Sequence, residues 1–166
     1  MQKLVIKRKL QVPASAAWEV VDAFGSVYKV NPVVERTTLV GDKATGRGAQ
    51  RVCEFYNGRS VKETIVQYDE GRSYSIELSE FSLPLKSERR RVEVSSVSTY
   101  QCQVAFYLEF APKFGPIGWL MAQLMIKPFL RKAFMGFAKG IEDHIKTGKI
   151  AGEMGKLIEP PRAVAA

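Results

Sequence analysis

Between Val34 and Phe110 the sequence keeps a period of two through six consecutive segments, with no stretch of helical period among them. Val34–Val40, Ala49–Tyr56, Ser60–Tyr68, Ser73–Glu80, Lys86–Val97 and Thr99–Phe110 all read as strands. Gly41-Asp42, Asn57-Gly58 and Asp69-Glu70-Gly71 separate the first four, and Ser82-Leu83-Pro84-Leu85 and Ser96-Val97-Ser98 separate the rest. Connections this short cannot carry a helical crossover between parallel strands. The segments must therefore form an antiparallel meander.

The flanks supply the covering elements. Lys3–Val12 is a further strand, with Leu4, Ile6 and Leu10 alternating against Val5, Lys7 and Lys9. Pro13 then suits a first helical turn, and Ala14–Phe24 reads as a short helix with Trp18, Val21 and Phe24 on one stripe. Ser26–Val30 adds a second short helical segment before Asn31-Pro32 breaks the chain. Pro116–Lys146 predicts a helix on the order of 45 Å long at ~1.5 Å per residue. Pro128 is expected to kink it, and Leu130, Phe134, Phe137, Ile141 and Ile145 form its apolar stripe. Residues 1–148 are expected to form one domain. After Gly148, residues 149–166 carry Gly152, Gly155, Pro160 and Pro161 and are expected to be a flexible tail.

Several local motifs sharpen this α+β reading. They are Val12-Pro13-Ala14-Ser15-Ala16-Ala17-Trp18-Glu19-Val20-Val21, Phe24-Gly25 followed by Asn31-Pro32-Val33-Val34-Glu35, and Gly46-Arg47-Gly48-Ala49-Gln50-Arg51. The first resembles the strand-to-helix opening of the START and Bet v 1-like (SRPBCC) superfamily. The second resembles that superfamily's second-helix exit, and the third its Gly-x-Gly-x-x-Arg hairpin. The resemblance covers about residues 2 to 147 and points to the polyketide cyclase/dehydrase-like branch. It implies a helix-grip fold, in which a curved antiparallel sheet of about seven strands wraps around the long C-terminal helix. Two short helices follow the first strand.

It also implies a cavity between sheet and helix for a small, largely hydrophobic molecule or lipid. Relatives either catalyse aldol-type cyclisation or dehydration there, or only carry or sense a ligand. A membrane-peripheral lipid carrier or a partner-binding module is the alternative.

Composition narrows the chemistry. Lys and Arg number 25 against 17 Asp and Glu, a net +8 that favours anionic partners. No basic motif interleaved with aromatics accompanies that charge, so nucleic acid is not expected. Cys53, Cys102 and the lone His144 are too few and too scattered for a metal site, and no cofactor is expected. Gly41–Gly48 nearly spells a phosphate loop, but it has Arg47 in place of Lys and joins two strands instead of opening a helix. The charges in Lys3–Lys9 interrupt any secretory apolar run, and Ile117–Ile126 is about half the ~20 residues that span a bilayer. A soluble, cytoplasmic protein is the expectation.

Strand alternation nominates the ligand-facing residues. Tyr100, Cys102, Val104, Phe106, Leu108 and Phe110 share one face of the last strand, and Tyr74, Ile76 and Leu78 one face of an earlier one. Leu120, Leu124, Phe134 and Phe137 are the expected helix contributions. Strand Ser60–Tyr68 offers two inward faces, Val61, Glu63, Ile65 and Gln67 or Lys62, Thr64, Val66 and Tyr68. On the first, Glu63 is a carboxylate in an apolar cavity, with a raised pKa or a cationic partner. The superfamily's plant hormone receptors use a pocket glutamate in the corresponding strand and a pocket lysine in the segment that Tyr28-Lys29-Val30 resembles. That resemblance implies a Lys29–Glu63 pair, which would also be the candidate catalytic group. Glu54, between Val52 and Tyr56, is a weaker candidate of the same kind.

Other features read as structural. The run Lys86, Glu88, Arg89, Arg90 and Arg91 is expected to be a solvated strand face, and His144 to lie at the edge of the helix stripe. Met121, Met125 and Met135 are expected to pack core. Trp119, Met125, Ile126 and Phe129, interleaved with Lys127, Arg131, Lys132 and Lys139, are expected to be covered by the wrapped sheet. An anionic bilayer surface or a homodimer contact is the competing account of that segment.

Overall fold

In the computed structural model of the chain, residues 1–80 and 85–161 are described, with the side chains of 85 and 86 left aside. Strand β1 (Gln2–Leu10) pairs antiparallel along its whole length with β7 (Gln101–Pro112), from Gln2 opposite Phe110 to Leu10 opposite Cys102. Between them in sequence lie β2 (Val34–Val40), β3 (Gln50–Phe55), β4 (Ser60–Asp69), β5 (Ser73–Ser79) and β6 (Leu85–Ser98). The seven strands form one antiparallel sheet in the order β1-β7-β6-β5-β4-β3-β2. The chain is thus a meander whose first strand returns beside its last. The connection expected at Ser82–Leu85 falls on residues 81–84, outside the described residues; Leu85 already pairs with Pro112.

Helix α1 (Ala14–Asp22) and a 3-10 segment (Phe24–Lys29) follow β1, as the proline and glycine signals predict. The C-terminal helix is one path in three parts: α2 (Gly115–Met121), a π turn (Ala122–Ile126) and α3 (Lys127–Thr147). The π turn is the structural answer to Pro128. Pro128 falls in the first turn of α3, and the widened turn before it takes up the hydrogen-bond interruption that the ring imposes.

The grip is apolar and aromatic. Leu130, Phe134, Phe137 and Ile141 of α3 are buried against Leu4, Ile6, Val104, Phe106 and Leu108 of β1 and β7. The Phe106 ring lies 5.0 Å from Phe134 and 5.1 Å from Phe137, the latter pair stacked at 28°. Each such side chain contributes about 1.5–3 kcal/mol by leaving water. Gly140 lets α3 approach the 3-10 segment, since a Cβ there would stand 2.0 Å from the Val30 carbonyl oxygen.

Three expectations are corrected. After Gly148 the chain does not fray over the described residues. Ile150–Ala151 (β8) pairs with Leu157–Ile158 (β9), and buried Ala151 packs beside Gly140. Tyr100 is 77% exposed because it belongs to the turn between β6 and β7, not to the strand. Met125 is exposed as well, not packed in the core.

Candidate functional site

Strand alternation sends a row of charged side chains to the concave face, beneath the helix. Arg51 of β3 and Glu63 of β4 are register partners, and both are buried with Glu88 at 3–4% exposure. Arg51 Nε donates to Glu63 Oε2 at 2.6 Å, and its Nη1 donates to the Phe24 carbonyl at 2.8 Å. The same guanidinium lies 3.9 Å from the centre of the Phe24 ring. From the other side Arg90 Nη1 donates to Glu63 Oε1 at 3.2 Å while its Nε donates to Glu88 Oε1 at 2.6 Å. Arg90 also sits over the Phe134 ring at 5.3 Å. The result is a continuous network, Arg51–Glu63–Arg90–Glu88, in which two cations alternate with two anions.

Arg51, Glu63 and Glu88 are buried and the Arg90 side chain is 18% exposed; burying a charge costs several kcal/mol per ion, offset only where every lone pair and proton is engaged. One is not. Glu88 Oε2 is buried with no hydrogen-bond partner among the described residues. Around the network, Cys53 Sγ lies 3.8 Å from Glu63 Oε2, and the Tyr74 hydroxyl donates to the Val21 carbonyl at 3.2 Å.

The electrostatics follow from these contacts. Burial alone would raise the Glu63 pKa, but Arg51 and Arg90 outweigh it and hold the carboxyl below its usual range. Burial, then the Glu63 charge, pushes the Cys53 thiol up to about 12, and burial pushes the Tyr74 phenol up to about 12. Burial opposes the charge on both arginines, yet the facing carboxylates hold Arg51 and Arg90 firmly protonated. Glu63 is thus a fixed anion at neutral pH, not a carboxylic acid ready to donate.

The structure sorts the expected residues. Tyr74, Ile76, Leu78, Cys102, Val104, Phe106, Leu108, Phe134 and Phe137 are all buried. Strand β4 turns Val61, Glu63 and Ile65 inward; a register shift after Ile65 then leaves Gln67 exposed and brings Tyr68 against the core. Glu63 does not pair with Lys29. Arg51 and Arg90 occupy both its oxygens, and Lys29 is half-buried at the end of the 3-10 segment. Glu54 points away from the concave face, since Arg51 and Cys53 take the inward positions of β3, and it pairs with Arg36 at 2.5 Å.

Leu120 and Leu124 are 52% and 68% exposed and line nothing. The inward face of that segment is Gly118 and Ala122, because a Cβ on Gly118 would meet the Lys113 carbonyl oxygen at 1.7 Å. Only small residues fit against the end of β7.

Glu88, Arg90 and Arg51 were not among the expected site residues. The run at Lys86–Arg91 is not one solvated face, because Glu88 and Arg90 point inward with Val92 and Val94 while Arg89 is exposed. Carrying the period of two back from Val94 and Val92 is the signal that finds them. Where a ligand cavity is expected, the rings of Phe106, Phe134 and Phe137 occupy the space between sheet and α3. Two open surface grooves lie elsewhere, one lined by Tyr28, Glu35 and Arg36, the other along Gln67–Ser75 and Arg91.

A family model described as "Polyketide cyclase / dehydrase and lipid transport" matches residues 1–142. No curated protein matches the chain. Among solved structures the chain is similar to the protein XoxI from Bacillus cereus, with TM-score 0.73 and 14% identity over 89% of this chain and 97% of that one. It is also similar to norcoclaurine synthase from Thalictrum flavum in complex with dopamine and hydroxybenzaldehyde, with TM-score 0.67 and 15% identity over 89% and 88% of the two chains. A Thermobifida fusca protein solved by NMR gives TM-score 0.68 and 21% identity over 88% and 96%. At such identities the likeness speaks to fold alone.

Proposed function

Because the chain belongs to the polyketide cyclase/dehydrase and lipid transport family, we propose that its concave face takes a small, largely hydrophobic molecule with one hydrogen-bond donor at its polar end. The observation that carries this reading is Glu88 Oε2, a buried carboxylate oxygen at the end of a charged row with no partner among the described residues. An apolar core has no use for three buried charges and a fourth, Arg90, only 18% exposed, whereas a binding face uses a few convergent polar groups to orient its ligand. Ile76, Leu78, Leu108 and Phe110 would hold the apolar body. Glu88 would accept a hydrogen bond from an amine or hydroxyl. Entry requires the Phe134 ring to leave Arg90 and Phe106, and the π turn about two helical turns upstream is a natural place for that adjustment.

A carboxylate with one oxygen held by a guanidinium and the other free among the described residues is also a minimal set for moving a proton on a carbonyl compound. The same face therefore supports a cyclase/dehydrase-like activity, while a carrier needs only the binding.

Native mass spectrometry of freshly purified protein, followed by thermal shift with octylamine, octanol and octanoate, tests the reading. Occupancy at 100 times Kd adds about 2.7 kcal/mol to stability. Octylamine and octanol are expected to raise Tm and octanoate not to, with the octylamine effect reduced in Glu88→Gln. No co-purified molecule and no shift with any of the three would overturn it.

A further inference from the structure

The segment Phe114–Phe129 is built inside out. Its buried side is Gly118 and Ala122, while Phe114, Ile117, Trp119, Leu120, Leu124, Met125 and Phe129 are 52% to 74% exposed. For a helix facing water the large apolar residues belong inside and the small or polar ones outside. Among the described residues no strand covers Trp119, Met125 or Phe129 as the sequence suggests, and of Trp119, Met125, Ile126 and Phe129 only Ile126 packs against the core. Phe114 adds a strained contribution, holding φ at +70° with its ring in solvent. Seven large apolar side chains exposed within sixteen residues mark an interaction site.

The charges around it choose the partner. From Phe110 to Ile141 the chain contains no Asp or Glu but holds Lys113, Lys127, Arg131, Lys132 and Lys139. Arg131 and Lys132 are exposed about two turns beyond Leu124 and Met125. Lys127 stands between the two groups, hydrogen-bonded to Gln123 at 3.0 Å. The nearest acid before the segment, Glu109, is already paired with Lys3 at 2.9 Å. Lys139 is paired with Asp143, but a second copy of this chain would bring Lys127, Arg131 and Lys132 against like charges, and a neutral apolar partner would leave them unmatched. Among the described residues no helix is long and apolar enough to cross a membrane.

We infer that the Phe114–Phe129 face is a docking surface for an anionic lipid bilayer. Its apolar side chains enter the headgroup boundary and Lys127, Arg131 and Lys132 lie at the phosphate level. The surface is made of side chains other than those proposed to hold the ligand on the concave face.

Flotation with phosphatidylcholine vesicles, with and without phosphatidylserine, tests the inference in low and high salt, with Trp119 emission as a second readout. Binding is expected only with phosphatidylserine, lost in high salt, and accompanied by a blue shift that is absent in Trp119→Phe. Leu120→Ser with Leu124→Ser should abolish binding while leaving the circular dichroism spectrum and Tm unchanged, since both side chains already face water. Replacing Lys127, Arg131 and Lys132 by Gln should weaken binding about a hundredfold, at about 1 kcal/mol per cation.

Three results overturn it. One is no flotation of the unmodified protein with phosphatidylserine vesicles in low salt. Another is equal binding to pure phosphatidylcholine. The third is a concentration-dependent dimer that the double serine variant dissociates, which would make a second copy the occupant.

Discussion

Arg51 and Glu63 face each other across β3 and β4 with Nη2 and Oε2 2.5 Å apart and side chains 5% and 4% exposed. The pair joins two strands on the side of the sheet that the helix covers. Removing one partner of such a pair strands a buried charge, at about 3–5 kcal/mol. Glu63→Gln should therefore lower stability by about that amount in urea denaturation. The double replacement Arg51→Met with Glu63→Leu should lose clearly less, because it leaves no unpaired charge at that position. Equal losses would mean that the pair is not coupled.

The same contact sets a pH dependence. Glu63 has its folded pKa depressed by Arg51 and Arg90 below the usual 4.5, against the opposing effect of burial. A depressed carboxylate stabilises the fold in full above its unfolded pKa and loses that contribution as pH falls through its folded pKa. Tm should hold as pH falls toward 4.5 and drop progressively below it, as followed by circular dichroism. The drop should be shallower in Glu63→Gln.

Cys53, with its thiol pushed up to about 12, and fully buried Cys102 should both be inert to a disulfide reagent in native protein at neutral pH. In urea both should react at once. Fast labelling of Cys53 under native conditions would show that the concave face opens readily.

The two faces of the C-terminal helix path should respond oppositely to truncation. Phe134→Ala removes a ring packed on Phe106, Phe137 and Arg90 and should cost about 3–5 kcal/mol. Leu124→Ala, on the exposed face, should change stability by no more than about 0.5 kcal/mol. Urea unfolding of the two variants gives the comparison directly.

The strand meander, the two short helical segments and the stripe Leu130–Phe134–Phe137–Ile141 were legible in the sequence. Each depends on a local period or on the stereochemistry of a proline or glycine. The inward face of β7 from Cys102 to Phe110 was legible for the same reason. Tyr100 was not, because alternation does not show where a strand yields to its turn. The hairpin after Gly148 was hidden because Ala151 is held by Gly140, a residue of α3.

The charged row was decided by tertiary structure. Strand β4 has apolar residues on both faces, so its period fixes two equivalent alternatives and not the choice between them. Pairing with β3 and β5 makes the choice, placing Glu63 opposite Arg51 and within reach of Arg90, 12 and 27 positions away in the chain. The exposed face at Phe114–Phe129 has the same kind of origin. The sequence determines an apolar helical segment with flanking cations, but only the close approach of Gly118 to the end of β7 decides which side chains turn to water. Local chemistry sets what each segment can form. Which partner a charge finds, and which apolar face stays bare, depends on backbone distances that exist only once the sheet has closed on its helix.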